Sequence, residues 1–240
     1  MTPIVISEER GVRYLHFGSP WVQGAMRIAR PWALELEYTR ELMMPLLLRR
    51  ERDWPARVLQ VGLGAASVTR FLHRHRPAAR VTVVEILPEV VETARRSFRL
   101  PDESARLAIV IGDAFEYVAA ARGRHDLIVV DGFDAKGRAG MLDSAPFYAA
   151  CRARLAAGGM LAVNLLTRRK SAAPSVARMR EVFAENVVAL PPSEPGNVVA
   201  LAAADGLDLG SMRELREAAR DLKAETGLDL APTLARLAAD

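Results

Sequence analysis

The sequence predicts an α/β domain, a parallel sheet with helices on both faces, preceded by a short region of β-strands. Three observations predict it. From Arg57 to Ala202, strand-length apolar stretches alternate with segments of helical periodicity, the pattern of parallel strands joined by crossover helices. Successive strands end on a glycine turn or a carboxylate: Gly62-Leu63-Gly64, Glu85, Asp113 and Asp131. Residues 3–30 differ from the rest and read as short strands separated by Glu-Arg-Gly and Gly-Ser-Pro turn signals.

In chain order, Ile4-Val5-Ile6, Val12–Phe17 and Trp21–Ile28 are the first strands. Pro31–Arg49 has apolar residues at helical spacing, among them Leu34, Tyr38, Leu42 and Leu46, and is predicted as one helix. Arg57–Val61 is an apolar strand running into the glycine turn, and Ser67–His75 the helix after it. Val81–Val84 is a strand ending on Glu85, followed by the helix Pro88–Phe98. Leu107–Ile111 is a strand ending at Asp113, followed by the helix Ala114–Ala121. Asp126–Val130 is the fourth strand of the series and ends on Asp131. The helix Ala145–Ala156 is closed by Gly158-Gly159, and Met160–Asn164 is the next strand. Ser175–Phe183 is a helix, and Asn186–Leu190 and Asn197–Ala202 are strands. Ser211–Asp240 reads as amphipathic helix that packs on the sheet or on a partner subunit. The expected division is a β region with a linking helix over 1–50 and the main domain, with its helical tail, over 51–240.

The chain has 240 residues, half of them apolar and 26% charged. This is enough for one sizeable α/β domain with a small appendage. No apolar run is long enough to span a membrane, and Met1–Arg13 has no basic region followed by an apolar stretch, so a cytoplasmic location is expected. Cys151 is the single cysteine, which rules out intrachain disulfides, and no Cys/His cluster offers zinc spacing. The net charge is +4, and the positive charge is nearly all arginine and is scattered. The one tight basic run, Arg168-Arg169-Lys170, reads as a solvated loop or helix end, so nucleic acid is not an expected partner.

In an open α/β sheet, ligands sit beyond the carboxyl ends of the strands. A glycine turn there lets a ligand approach the backbone and the helix N-terminus. An acid at the end of the next strand, about 20 residues on, is placed to hold ribose hydroxyls; Gly62, Gly64 and Glu85 have that relation. The turn lacks the third glycine of the dinucleotide fingerprint, because Gly64 runs into Ala65-Ala66-Ser67. An adenosyl ligand without a pyrophosphate needs less of the turn. Asp113 can then accept from the adenine amine, with the Ala114 N–H facing a ring nitrogen; Asp113 also fits a helix N-cap. Asp131-Gly132-Phe133-Asp134 places two acids three residues apart beyond a buried strand. Such a pair can bind a polycation and accept a proton, or simply form a turn.

These motifs, in this order, resemble the spermidine synthase family of aminopropyltransferases. The resemblance runs from about Gly11 to Ala202. It is carried by Trp21-Val22-Gln23-Gly24-Ala25, Leu36-Glu37-Tyr38-Thr39, the glycine turn, Val84–Val91, Gly112–Tyr117 and Val130–Asp134. It implies a Rossmann-like, S-adenosylmethionine-dependent methyltransferase fold and a transferase that uses decarboxylated S-adenosylmethionine as co-substrate. A polyamine such as putrescine attacks the carbon beside the sulfonium and releases methylthioadenosine. It further implies Asp131 as the catalytic acid–base residue, Asp134 and Tyr38 as amine-site residues, and Gln23 as a cofactor contact. By the same analogy the protein is expected to be a homodimer or larger.

The sequence departs from the family at several points. Ala65 stands where the family has an acid that grips the aminopropyl ammonium. Leu87 replaces another acid, and Ala135 replaces the proline after the second acid of the loop. Leu190–Gly196 lacks a tyrosine, and Glu194 is the candidate replacement amine contact. Two alternatives therefore stay open: a methyltransferase using ordinary S-adenosylmethionine, and a non-catalytic adenosyl- or polyamine-binding protein. His16, His73, His75 and His125 read as surface residues, Met43-Met44 as core, and Cys151 as buried.

Overall fold

The computed structural model describes residues 3–18, 21–120, 123–134, 137–167, 171–193 and 196–239. The basic run Arg168–Lys170, Ala135 and Glu194 lie outside the described residues.

The chain opens with an antiparallel meander, β1 (Ile4–Glu9), β2 (Val12–Phe17) and β3 (Val22–Arg27), paired in that order. The single helix expected over Pro31–Arg49 is instead two short pieces, α1 (Glu37–Glu41) and α2 (Pro45–Leu48). Pro45 explains the break, since it has no N–H to continue the first helix but suits the first turn of the second. Leu34, Leu42, Met43 and Met44 are all buried, so the apolar spacing reported burial correctly and helix continuity wrongly.

The main sheet then forms from β4 (Arg57–Val61), α3 (Ser67–His75), β5 (Arg80–Glu85), α4 (Pro88–Ser97), β6 (Leu107–Ile111), α5 (Ala114–Ala120), β7 (His125–Val130), α6 (Ala145–Arg154), β8 (Leu155–Leu166), α7 (Ala173–Phe183), β9 (Val187–Ala189) and β10 (Asn197–Ala203). The strand order is β6-β5-β4-β7-β8-β10-β9. β4 pairs in parallel with both β5 and β7, and β5–β6 and β7–β8 are parallel as well. β10 runs antiparallel to β8 and β9, so the sheet is mixed rather than wholly parallel. Because β9 and β10 pair antiparallel, their connection needs no crossover helix.

The helix predicted to end at the Gly158-Gly159 pair stops earlier, at Arg154, and both glycines lie inside β8. They accommodate a register shift against β7. A Cβ on Gly159 would stand 2.9 Å from the carbonyl oxygens of Ala156 and His125, so backbone proximity is the reason for the glycine.

Alternate residues of the central strands feed two cores. Val58, Val83, Leu127, Val129 and Ala162 pack under α2, α3, α4 and the C-terminal helices. Leu59, Val84, Ile128, Val130 and Leu161 pack under α5, α6 and α7. The predicted C-terminal helix is two, α8 (Met212–Thr226) and α9 (Ala231–Leu237). Ser211 and Glu214 form a capping box at the start of α8, and left-handed Gly227 ends it. Leu215, Leu222, Leu230 and Leu234 place this tail on the first core, with α8 against α2.

Candidate active site

The strand order reverses direction between β4 and β7: the chain proceeds outward through β5 and β6, then returns to add β7 and β8 on the other side. This is the switch point at which open α/β sheets bind ligands. A cavity of about 1480 Å³ opens there, beyond the carboxyl ends of the strands. Gln23, Tyr38, Gly62, Gly64, Glu85, Asp113, Ala114, Asp131 and Asp134, each expected at the site from the sequence, line it.

The glycine turn is held close to the end of β7. The Asp131 N–H donates to the Val61 carbonyl at 2.9 Å, and the Gly62 N–H to the Val84 carbonyl at 2.9 Å. Gly62 has φ +84°, and a Cβ there would lie 2.1 Å from the Asp131 carbonyl oxygen, so no other residue fits without moving the backbone. Glu85 is buried and accepts from the Leu63 N–H at 2.9 Å and the Leu87 N–H at 3.0 Å. Burial raises its pKa, and the backbone donors of the turn and of the β5 end oppose the rise. Asp113 accepts from the Glu116 N–H at 3.0 Å at the start of α5. It therefore caps the helix while facing the cavity.

The N-terminal meander brings Gln23 to the same cavity. Gly24 touches the glycine turn so closely that a Cβ on it would lie 2.5 Å from the Ala65 Cβ. The Ser67 hydroxyl donates to the Ala25 carbonyl at 3.0 Å. Buried Arg70 donates to the Pro31 carbonyl at 2.6 Å, to the Phe98 carbonyl at 2.7 Å and to the Ala65 carbonyl. Ala65 packs with Leu15, Met26 and Phe98 and is absent from the cavity wall. Position 65 thus faces the meander, not the ligand space.

Asp131 projects from the end of β7, and its hydrogen-bond partners are neutral. Asn164 on β8, 4% exposed, donates from Nδ2 to Asp131 Oδ1 at 2.9 Å. The Tyr38 hydroxyl from α1 interacts with the same carboxylate. Burial raises the Asp131 pKa, the Asn164 and Tyr38 hydrogen bonds lower it, and the Glu85 charge raises it. Burial and the neighbouring carboxylate also push the Tyr38 hydroxyl well above the usual tyrosine range, so it remains a neutral donor. The carboxylate charges of Glu85 and Asp131 in one cavity favour a cation between them.

Asp134 is engaged rather than bare. Arg138 donates to its Oδ2 from Nε at 2.8 Å, and the Arg138 backbone N–H to its Oδ1 at 2.9 Å. Both residues line the cavity, and the Arg138 side chain is largely exposed and able to turn away. Trp21, Val22, Ile86, Leu87 and Met141 form an exposed apolar rim.

Sequence reasoning missed Asn164, Glu37 and Arg138. Asn164 left a trace as the one polar side chain in Met160–Leu166, and its buried Oδ1 accepts no hydrogen bond from the described residues. Glu37 adjoins Tyr38, and Arg138 left no signal in the sequence. His73 and His75 are half-buried rather than on the surface, with the His75 ring 5.0 Å from Phe71. Cys151, Met43 and Met44 are buried, as expected. Among the described residues, no group of three side chains could hold a metal ion, and no helix is long and apolar enough to cross a membrane.

The fold is a Rossmann-like α/β sheet with its cavity at the switch point, where such sheets bind ligands. Residues 37–215 match the spermine/spermidine synthase domain, and the chain belongs to that family. A polyamine aminopropyltransferase of Chromobacterium violaceum is 35% identical over 237 residues, covering 99% of this chain and 90% of the relative. One from Neisseria meningitidis is 35% identical over 234 residues, covering 98% and 88%. A spermidine synthase in complex with the transition-state analogue AdoDATO superposes with a TM-score of 0.63 at 20% identity, over 94% of this chain and 88% of that one. Human methyltransferase-like protein 13, in complex with SAH, gives 0.69 at 23% identity over 80% and 93%. At these identities the structural likenesses speak to the fold alone.

Proposed function

We propose that this chain is an aminopropyltransferase, moving the aminopropyl group of decarboxylated S-adenosylmethionine to a polyamine such as putrescine. The observation that carries the reading is the Asp131 carboxylate, half-buried and held between the neutral partners Asn164 and Tyr38 in the same cavity as Glu85 and the glycine turn. Gly62, Gly64 and Glu85 hold the nucleoside, with Glu85 on the ribose hydroxyls. Asp113 and Ala114 face the adenine, and Gln23 closes over the donor from the meander. The cavity volume accommodates donor and acceptor together.

The acceptor amine arrives protonated and cannot attack. Asp131 accepts its proton, and burial suits the carboxylate to that task by raising its pKa toward the working range. The free amine forms a C–N bond to the carbon beside the sulfonium. The S–C bond breaks, and its electron pair stays on sulfur in neutral methylthioadenosine. Tyr38 and Asn164 orient Asp131, and the unfilled Asn164 Oδ1 accepts from an amine N–H. The sulfonium is already a good leaving group, so alignment supplies much of the rate. The distal amine competes with Arg138 for Asp134.

The reading is tested by incubating the protein with putrescine and other amines, supplied with decarboxylated or ordinary S-adenosylmethionine, and identifying nucleoside products by mass spectrometry. Methylthioadenosine that requires both amine and decarboxylated donor is expected. S-adenosylhomocysteine together with a methylated amine would instead place the chain among methyltransferases. A division near residue 50 and assembly as a homodimer or larger belong to the same proposal. Limited proteolysis and sedimentation check them.

A further inference from the structure

The C-terminal helix reaches back to the helix that carries Tyr38. Arg236 on α9 donates from Nη1 to Glu37 at 2.5 Å and from Nη2 to Glu41, and the Thr233 hydroxyl donates to Glu41 at 3.3 Å. Glu37 and Glu41 stand four apart on α1 and so share a face. Glu37 lines the cavity, whereas Glu41 is 0% exposed. Two carboxylates at this spacing repel each other, and the guanidinium between them turns the repulsion into a clasp. α1 is only five residues long and has no side-chain cap at its start. Its own hydrogen bonds cannot hold it in place. No residue of α8 or α9 lines the cavity, so the tail acts on the site indirectly, and through Arg236 it reaches the cavity-lining α1.

We propose that Arg236 is a positioning residue for the reaction: by clasping Glu37 and Glu41 it fixes α1 so that the Tyr38 hydroxyl stays on the Asp131 carboxylate. The kinetic consequences rest on the aminopropyl-transfer reading; the structural ones rest on the clasp alone. Without Arg236, Glu41 is a buried carboxylate with Thr233 as its remaining partner. A buried charge in that state takes up a proton or turns out to water. Glu37, at the cavity end, loses its tether in either case. Tyr38 then no longer holds Asp131, and the carboxylate loses a hydrogen bond that favours its ionised, proton-accepting form.

The test uses the full chain with Arg236→Met. Four quantities are measured: kcat against the amine KM, the pH dependence of kcat/KM, methylthioadenosine affinity, and hydrogen–deuterium exchange over residues 37–48. The expected kcat falls roughly tenfold to a hundredfold, the size of a lost hydrogen bond to a charged group. The acidic limb of the pH profile moves to higher pH, methylthioadenosine affinity is unchanged, and exchange quickens over residues 37–48. Arg236→Lys restores part of kcat, because a single ammonium cannot span both carboxylates as a guanidinium does. Glu41→Gln removes one arm of the clasp and is expected to show the same changes at smaller size; it decides the matter if Arg236→Met does not fold. Wild-type kcat, acidic limb and exchange in these variants would overturn the proposal. If the wild-type protein makes no methylthioadenosine, the aminopropyl-transfer reading fails by itself, and exchange over residues 37–48 still decides the clasp.

Discussion

On the proposed reading, replacing Asp131 with asparagine removes the proton acceptor of the cavity while keeping its shape. The amide oxygen of the new side chain can still accept from Asn164 Nδ2, as Asp131 Oδ1 does at 2.9 Å. Its amide nitrogen can donate to the Tyr38 hydroxyl oxygen, and the Tyr38 O–H, which loses its carboxylate acceptor, lines the open cavity and can turn to water there. The fold and the cavity are therefore expected to survive, with an unchanged melting temperature. The nucleoside half of the site does not depend on Asp131 for a contact. Glu85 takes its hydrogen bonds from Leu63 and Leu87, and none from Asp131. Methylthioadenosine should thus bind at least as well as to the wild type. The chemical step is another matter, because the attacking amine keeps its proton. A positioned general base contributes roughly 10²–10⁴-fold, equivalent to about 3–5 kcal/mol of barrier at about 1.36 kcal/mol per decade. The assay is methylthioadenosine formation under saturating amine and donor, with calorimetry of methylthioadenosine binding on the same preparation. An Asp131→Asn variant that turns over within about tenfold of wild type, below the range for a lost base, would refute the assignment of Asp131. So would a variant that loses nucleoside binding along with turnover.

Three further outcomes follow from the same geometry. Glu85→Gln leaves one carbonyl oxygen to serve two backbone donors and the ribose, and should weaken methylthioadenosine binding roughly tenfold to a hundredfold by calorimetry. Ala65→Asp restores the acid at the family's position, yet the side chain lies among Leu15, Met26 and Phe98. An unpaired charge there is expected to cost about 3 kcal/mol or more and to lower Tm by about 6–12 °C, with no gain in donor affinity; tighter donor binding at unchanged Tm would contradict the placement of Ala65. For pH dependence, the proposed base Asp131 acts in its ionised form, and burial raises its pKa above the ordinary carboxylate value of 3.8. Activity should therefore fall as pH falls through that raised value, and Asn164→Ala, which removes a bond that lowers it, should shift this acidic limb to higher pH.

Much of the site was legible in the sequence because its residues sit at strand ends, which local patterning locates. An apolar run followed by a glycine turn, Glu85, Asp113 or Asp131 marks the carboxyl edge of a sheet, and parallel strands bring all such edges to one side. The class of fold and the company of those four positions follow from periodicity and turn chemistry. Local patterning failed where the outcome depended on distant partners. Pro45 split a segment whose apolar spacing looked continuous. Gly158-Gly159 looked like a helix stop but was placed in a strand by the approach of His125 and Ala156. β10 reversed direction with no local sign. Tertiary packing alone turned Ala65 toward Gly24 and away from the ligand space, put Asn164 on Asp131, and brought Arg236 across to Glu37, 199 positions earlier in the chain. Each of these is a contact between residues far apart in the chain. Its energy depends on burial and approach distance, which no window of sequence contains.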